Sequence, residues 1–356
     1  MTSWLEVVSE GLAFVFVQRG RSGMASRSGR LQQAQAAELS ASPDFDWHTG
    51  AFAHNNEGRN QQENDAMSAT TAALSSDGVA LRAMTPADLP AAHALTDELR
   101  WPHRPTDWEQ AFRHAEGLVA ERDGQVVGTG LRWRWGPKQA TIGLIVVAPA
   151  CQGRRVGHRL MTALLEGLEG CSVLLHATSE GRGLYERLGF VRTGEIRQHQ
   201  GVAQPAPLIA LGSDRRLRPA TEADLSTLCA LDTAARGMAR PALIDELFRD
   251  AEATVVLDEA GHARGFAMLR RFGRGHVIGP VVAPEAEGAQ ALIAHLVGLN
   301  AGRFTRIDID FDSGFGEWLE SLGLLRVDAP TTMVRGAPLV RDANTLLFAI
   351  VTQALG

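Results

Sequence analysis

From residue 79 onward the apolar positions of this chain alternate with a period of two or recur near a period of 3.6, and turn residues separate the segments. Val79 to Arg82 reads as a short strand, and Thr85 with Asp88 reads as an N-cap and acidic first turn that open a helix. A second helix follows. Leu118 to Arg122, an Asp123-Gly124 turn, Val126 to Trp133, a Gly136-Pro137 turn and Thr141 to Val147 then form an antiparallel meander. The stripe from Arg154 to Leu168 predicts a helix, Ser172 to His176 a buried strand and Arg182 to Leu188 another helix. A final strand pair completes an α/β fold, a mixed and mainly antiparallel sheet flanked by helices.

The pattern then repeats. Leu81-Arg82-x-x-Thr85-x-Ala87-Asp88-Leu89 recurs as Leu217-Arg218-x-x-Thr221-x-Ala223-Asp224-Leu225, and Ile142-Gly143 with Val146 to Pro149 recurs as Ile278-Gly279 with Val281 to Pro284. A near-constant offset implies duplication and two domains of one fold, residues 78–212 and 213–336, joined near Gly212 to Arg215. Residues 337–356 read as a capped amphipathic helix over Asp342 to Leu355. Residues 1–77 read as a disordered segment: 22–77 is rich in Gln, Ser, Asn, Ala and Gly without sustained periodicity, either a flexible arm or a leader ahead of a start at Met67.

A length of 356 residues suits two domains, and 45% hydrophobic with 21% charged residues suits a folded soluble chain. A net charge of −6 leaves no basic footprint for nucleic acid. Cys151, Cys171 and Cys229 are too few and too spread for a disulfide framework or a four-ligand zinc site, so no metal is expected. The opening apolar run, Leu12 to Val17, is too short for a membrane span and is preceded by Glu6 and Glu10 where an export signal is positive. A cytoplasmic protein is the expectation.

Chemistry concentrates at Val146 to Met161, a strand, a glycine-bearing loop and an amphipathic helix. Free N–H groups at such a helix start attract phosphate, and glycine lets it approach closely. Arg154, Arg155 and His158 stand ready to add positive charge. About 25 residues on comes Leu184-Tyr185-Glu186-Arg187-Leu188-Gly189-Phe190. Together these segments resemble the GNAT superfamily of N-acetyltransferases: the first its coenzyme A loop, the second its Leu-Tyr-x-x-x-Gly-Phe helix and strand.

The resemblance implies acetyl-CoA as co-substrate, its pantetheine arm entering between two diverging strands, Ile142 to Val147 and Ser172 to His176. It implies pyrophosphate contacts from Gln152, Gly153, Arg154, Arg155, Val156, Gly157 and His158, an oxyanion-stabilising N–H near Val146 or Val147, and Tyr185 as the acid that protonates the departing thiolate. It departs from the family at Arg155, where a glycine is usual, and at Thr178, where many members have asparagine. The segment Glu98 to Trp108, with Trp101 and His103, falls where the family builds its acceptor pocket, and Trp133 is a further candidate lining residue. For a general base the candidates are Glu98, His103, Glu116 and His176, and direct attack by an already neutral amine, held in place, needs no strong base. In the second copy Glu285 and Glu287 replace the arginines and Leu319 replaces Tyr185, so that half resembles a degenerate acetyltransferase-like domain. The expectation is direct acetyl transfer to a primary amine of a small acceptor. The alternative is a non-catalytic acyl-CoA-binding regulatory protein.

Overall fold

The computed structural model describes residues 78–356. Residues 1–77, with the expected leader, lie outside the described residues.

The first half runs β1 (Val79–Ala83), α1 (Leu89–Glu98), α2 (Pro105–Arg113), β2 (Glu116–Arg122), β3 (Gln125–Arg134), β4 (Gln139–Val147), α3 (Val156–Leu165), β5 (Ser172–Ala177), α4 (Arg182–Arg187) and β6 (Val191–Val202). The second runs β7 (Arg215–Pro219), α5 (Leu225–Arg236), α6 (Pro241–Asp250), β8 (Ala253–Glu259), β9 (His262–Phe272), β10 (Gly275–Ala283), α7 (Ala286–Leu299), β11 (Phe304–Asp310), α8 (Gly316–Ser321), β12 (Leu325–Asp328) and β13 (Thr331–Arg335), and β14 (Leu346–Ala349) follows. Each half opens with the same device. The carboxylate of Asp88 accepts from the N–H and hydroxyl of Thr85 and is held by Arg82, and Asp224, Thr221 and Arg218 repeat the arrangement. This capping box fixes where the first helical turn begins.

The helices α3 and α4 cover one face of the first-half sheet. Leu160, Met161 and Leu164 of α3 are fully buried. The helix lies so close because β3 presents glycine beneath it: a Cβ on Gly130 would come 2.7 Å from Leu164 Cδ1. The opposite face carries α1 and α2, and its core includes Trp108, Leu131, Trp133, Leu144 and Leu174. That core continues without a break into Leu228, Ala235, Leu243 and Met268 of the second half. The ion pairs of Arg113 and His114 with Glu246 join α2 to α6 across this junction.

Two features correct the expected organisation. The final strand pair of the first half is instead one twelve-residue strand, β6, which runs from one half into the other. Its start, Val191 to Glu195, pairs with β13 of the second half, and its remainder, Ile196 to Val202, pairs with β11. In return β13 inserts between β5 and β6, with Met333 opposite Leu175 and Arg192. Each half completes its sheet with the other's last strand, so a cut at residue 212 would remove a strand from both. The tail is not a helix: Leu346–Ala349 forms β14, because its apolar run Leu346 to Val351 finds a sheet edge to complete.

Candidate active site

The strands β4 and β5 run parallel for three residue pairs, Gln139 to Thr141 against Ser172 to Leu174, and then part. The cause is a bulge. Thr129 faces Val146 and Leu131 faces Gly143, so β4 carries one extra residue, and Leu144 takes a left-handed φ of 51°. The Thr129 hydroxyl holds the bulge by donating to the Leu144 carbonyl at 3.0 Å. Past the last β4–β5 pair, Ile142 to Val147 have no strand partner on the β5 side among the described residues, which leaves a fork.

At the mouth of the fork lie the glycine-bearing loop and the start of α3. Residues 152–155 and His158 are exposed, whereas Val146 and Val156 are buried, so those two offer backbone groups only. Among the described residues no side chain caps α3. Arg159 donates its N–H to the Arg155 carbonyl at 3.0 Å, and the helix N–H groups before it face outward, as at any uncapped start. Arg155 stands where the family pattern has glycine and adopts the glycine conformation, φ 63°, at a cost of about 1–2 kcal/mol. Its exposed side chain projects to solvent. A Cβ on Gly157 would meet Leu184 and Val147 at 3.6 and 3.8 Å, ordinary contacts, so the protein itself does not require glycine there. Gln152 is turned back, its Nε2 donating to the Val147 carbonyl at 3.0 Å. Thr178 accepts from the Gly181 N–H and so holds the loop that opens α4.

Tyr185 reaches from α4 into the core between α3 and β5, edge-on to Phe190 at 6.1 Å. Gly181 permits this, since a Cβ there would lie 2.9 Å from the ring. Burial pushes the phenol up to about 12, so it stays protonated at neutral pH, and its hydroxyl is bonded to no described protein group.

The second half has the same fork and has closed it. The strands β10 and β11 pair from His276 to Ile278 and then part at a bulge. Into that gap β14 inserts, Val281 facing Ala349, Val282 facing Leu347 and Ala283 facing Leu346, while Ile309 of β11 faces Ala349 from the other side. The helix start is closed too: Glu285 accepts from the Gly288 N–H at 3.2 Å and is held by Arg215 at 2.8 Å. Leu319, opposite Tyr185 in the repeat, is fully buried.

The expected acceptor residues do not gather at the open fork. His103 stacks edge-on against Phe272 of the second half and lies 5.9 Å from Trp101, while Asp107 accepts from the Gly273 N–H. This segment is a contact between the halves. Burial lowers the imidazole of His103 to about 4. Trp133 is fully buried, its indole N–H donating to the Ala111 carbonyl, and faces core rather than cleft. Glu116 is held by Arg132 and Arg134, and Glu98 is exposed on α1. Of the four base candidates His176 alone stands beside the fork, two residues past the last β4–β5 pair on the α1–α2 face. Thr332 of β13 meets its Nδ1 at 3.1 Å, and its buried Nε2 has no partner among the described residues.

A parallel strand pair forked at a bulge, an uncapped helix start at the fork's mouth and a protonated tyrosine at its side define a protein of the acyl-CoA N-acyltransferase class. Comparison with known proteins gives the family. Residues 95–204 and residues 228–349 each match the acetyltransferase (GNAT) domain. The chain belongs to the GNAT superfamily as a tandem acyltransferase. It is 29% identical over 222 residues to the uncharacterized N-acetyltransferase YitH of Bacillus subtilis, covering 61% of this chain and 76% of that protein. It is 31% identical over 136 residues to the N-alpha-acetyltransferase RimI of Mycobacterium tuberculosis, covering 35% of this chain and 86% of that protein. The fold is shared with the crystal structure of a Pyrococcus horikoshii protein named as an acetyltransferase, with a TM-score of 0.65 and 21% identity over 80% of this chain and 98% of the other. Among the described residues no helix is long and apolar enough to cross a membrane, and no group of three or more His, Cys, Asp or Glu is placed to hold a metal.

Proposed function

We propose that the first half transfers an acetyl group from acetyl-CoA to the primary amine of a small acceptor, directly and within a ternary complex, and that the second half binds no coenzyme. The observation that carries this reading is the contrast between the forks: one open beside an uncapped helix start and Tyr185, the other filled by β14 and capped by Glu285.

The free edge of β4 offers backbone groups to the pantetheine arm, and the N–H of Val146 or Val147 would face the developing oxyanion. The N–H groups from Gln152 to His158, with Arg154, Arg155 and His158 exposed around them, suit the pyrophosphate. Tyr185 supplies the proton that the thiolate leaves with. His176, beside the fork, orients the attacking amine by accepting a hydrogen bond from it. Burial, with the nearby charges of Arg236 and Arg341, holds its pKa well below the usual value, which keeps the imidazole neutral but makes it a weak base, so its part is to accept a hydrogen bond from an amine that attacks in its neutral form.

Calorimetric titration of the whole chain with acetyl-CoA, followed by a screen of primary amines for thiol release, tests the proposal. One site per chain and amine-dependent release of coenzyme A thiol are expected. Two sites per chain would reverse the reading of the second half, and no binding would end the enzyme reading. Binding without transfer to any amine would favour a regulatory acyl-CoA-binding protein.

A further inference from the structure

The strand exchange carries a side chain of the second half to the edge of the first fork. β13 pairs with β5 in antiparallel register, with Val334 opposite Leu174, Met333 opposite Leu175 and Thr332 opposite His176. Facing residues of such a pair share one side of the sheet, and successive pairs alternate between the two sides. Met333 and Leu175 enter the core on the α3 side, Val334 and Leu174 the core on the α1–α2 side, and Thr332 and His176 by alternation share that second side. There the Thr332 hydroxyl oxygen lies 3.1 Å from His176 Nδ1, and Thr332 is buried. Among the described residues it is the ring's one hydrogen-bond partner, because the buried Nε2 has none.

Burial keeps this imidazole neutral, so it carries a single N–H, and the bond made by one ring nitrogen decides what the other can do. A hydroxyl can give or take. If Thr332 gave its proton to Nδ1, the ring N–H would sit on Nε2, fixed in the ring plane, buried and without an acceptor. If Nδ1–H donates to Thr332 instead, Nε2 presents a lone pair, and the hydroxyl keeps a proton that can rotate to find an acceptor. A buried N–H is seldom left unpaired, whereas an under-used acceptor is tolerated more often, which favours the second arrangement. We infer that Thr332 is a positioning residue of the acetyl transfer, holding the proton of His176 on Nδ1 so that Nε2 accepts from the attacking amine. The second half thereby takes part, through β13, in chemistry carried out by the first. This inference rests on the proposed acetyl transfer by the first half.

The tautomer is read directly by nitrogen NMR of the whole chain labelled at histidine, with the His176 signals assigned by their loss in His176→Asn. A protonated Nδ1 and a bare Nε2 are expected in the unaltered protein. Protonation at Nε2 overturns the inference and leaves acetyl transfer by the first half intact. Thr332→Val keeps the branched shape and removes the hydroxyl, while Thr332→Ser keeps the hydroxyl on a less restricted side chain. Thr332→Val is expected to move the proton toward Nε2 and to lower kcat/KM for the best primary amine of the screen by roughly 10- to 100-fold, the scale of a buried group left unpaired, with acetyl-CoA affinity unchanged. Thr332→Ser is expected to keep the Nδ1 proton and most of the activity. A Thr332→Val protein with unaltered tautomer and turnover refutes the inference. Equal impairment by Val and Ser also refutes it, because the packing of β13 rather than the hydroxyl would then be what matters. The tautomer of the unaltered protein needs no variant at Thr332, so a Thr332→Val chain that fails to fold leaves that measurement to decide. Failure of the unaltered protein to acetylate any amine sinks the transfer reading instead.

Discussion

Met333 belongs by sequence to the second half and by position to the first. It is fully buried in the cluster that holds Met161, Leu175, Phe190 and Tyr185, carried there by β13. Met333→Ala removes three heavy atoms from a close-packed site and leaves a cavity, a change that costs about 2–5 kcal/mol. For a cooperative unit of roughly 280 residues the unfolding entropy is about 0.6 kcal/mol/K, so a loss of ~3 kcal/mol lowers Tm by about 5 °C. The strand exchange requires that this loss appear in the one transition that acetyl-CoA stabilises. Calorimetric melting with and without saturating acetyl-CoA measures both. Two separate transitions, of which the ligand-stabilised one is untouched by Met333→Ala, would refute the reasoning, because the halves would then fold and bind as independent domains.

Tyr185→Phe is expected to lower turnover by roughly 10²- to 10⁴-fold with acetyl-CoA affinity little changed, because the hydroxyl holds no described partner and its loss removes only the acid. Steady-state kinetics with a calorimetric Kd measure both effects, and unchanged turnover would remove Tyr185 from the mechanism. Acidification is expected to lower Tm between about pH 6.5 and about pH 4.5, above the range where carboxylates titrate. His103 and His176 are held neutral in the folded state with pKa values below that of a free imidazole, so the unfolded chain binds more protons in this window and stability falls with pH. A melting series across the window checks this, and a flat Tm would contradict the burial of both rings.

The sequence makes the repeat legible because caps, turns and helix starts are local chemistry: Thr85 with Asp88 and Thr221 with Asp224 announce themselves within four residues. The open helix start and its acidic counterpart at Glu285 are legible for the same reason. The exchange of strands is not. Whether the chain doubles back after Glu195 or continues straight into Val202 depends on which edge it meets, and Gly194 supplies no positive-φ turn to decide it. The tail misleads in a related way. Leu346 to Val351 is a short apolar run, which periodicity cannot assign, and the gap between β10 and β11 makes it a strand.

Duplication of a forked sheet doubles a liability as well as a site. Each fork exposes strand edges whose N–H and C=O groups need partners, and an unfilled buried edge costs free energy and invites foreign strands. In the first half the edge from Ile142 to Val147 stays open, which is tolerable where a cofactor of extended, amide-bearing chemistry completes it. In the second half β14 meets the same requirement permanently. Ala349 bridges Val281 and Ile309, and the Ile350 N–H continues to the Asp308 carbonyl. The tail then runs on to Gly143 and Arg236. The strand that closes the second fork thereby leads the chain on to the wall of the first, and the first half's sheet is unfinished without β13 of the second.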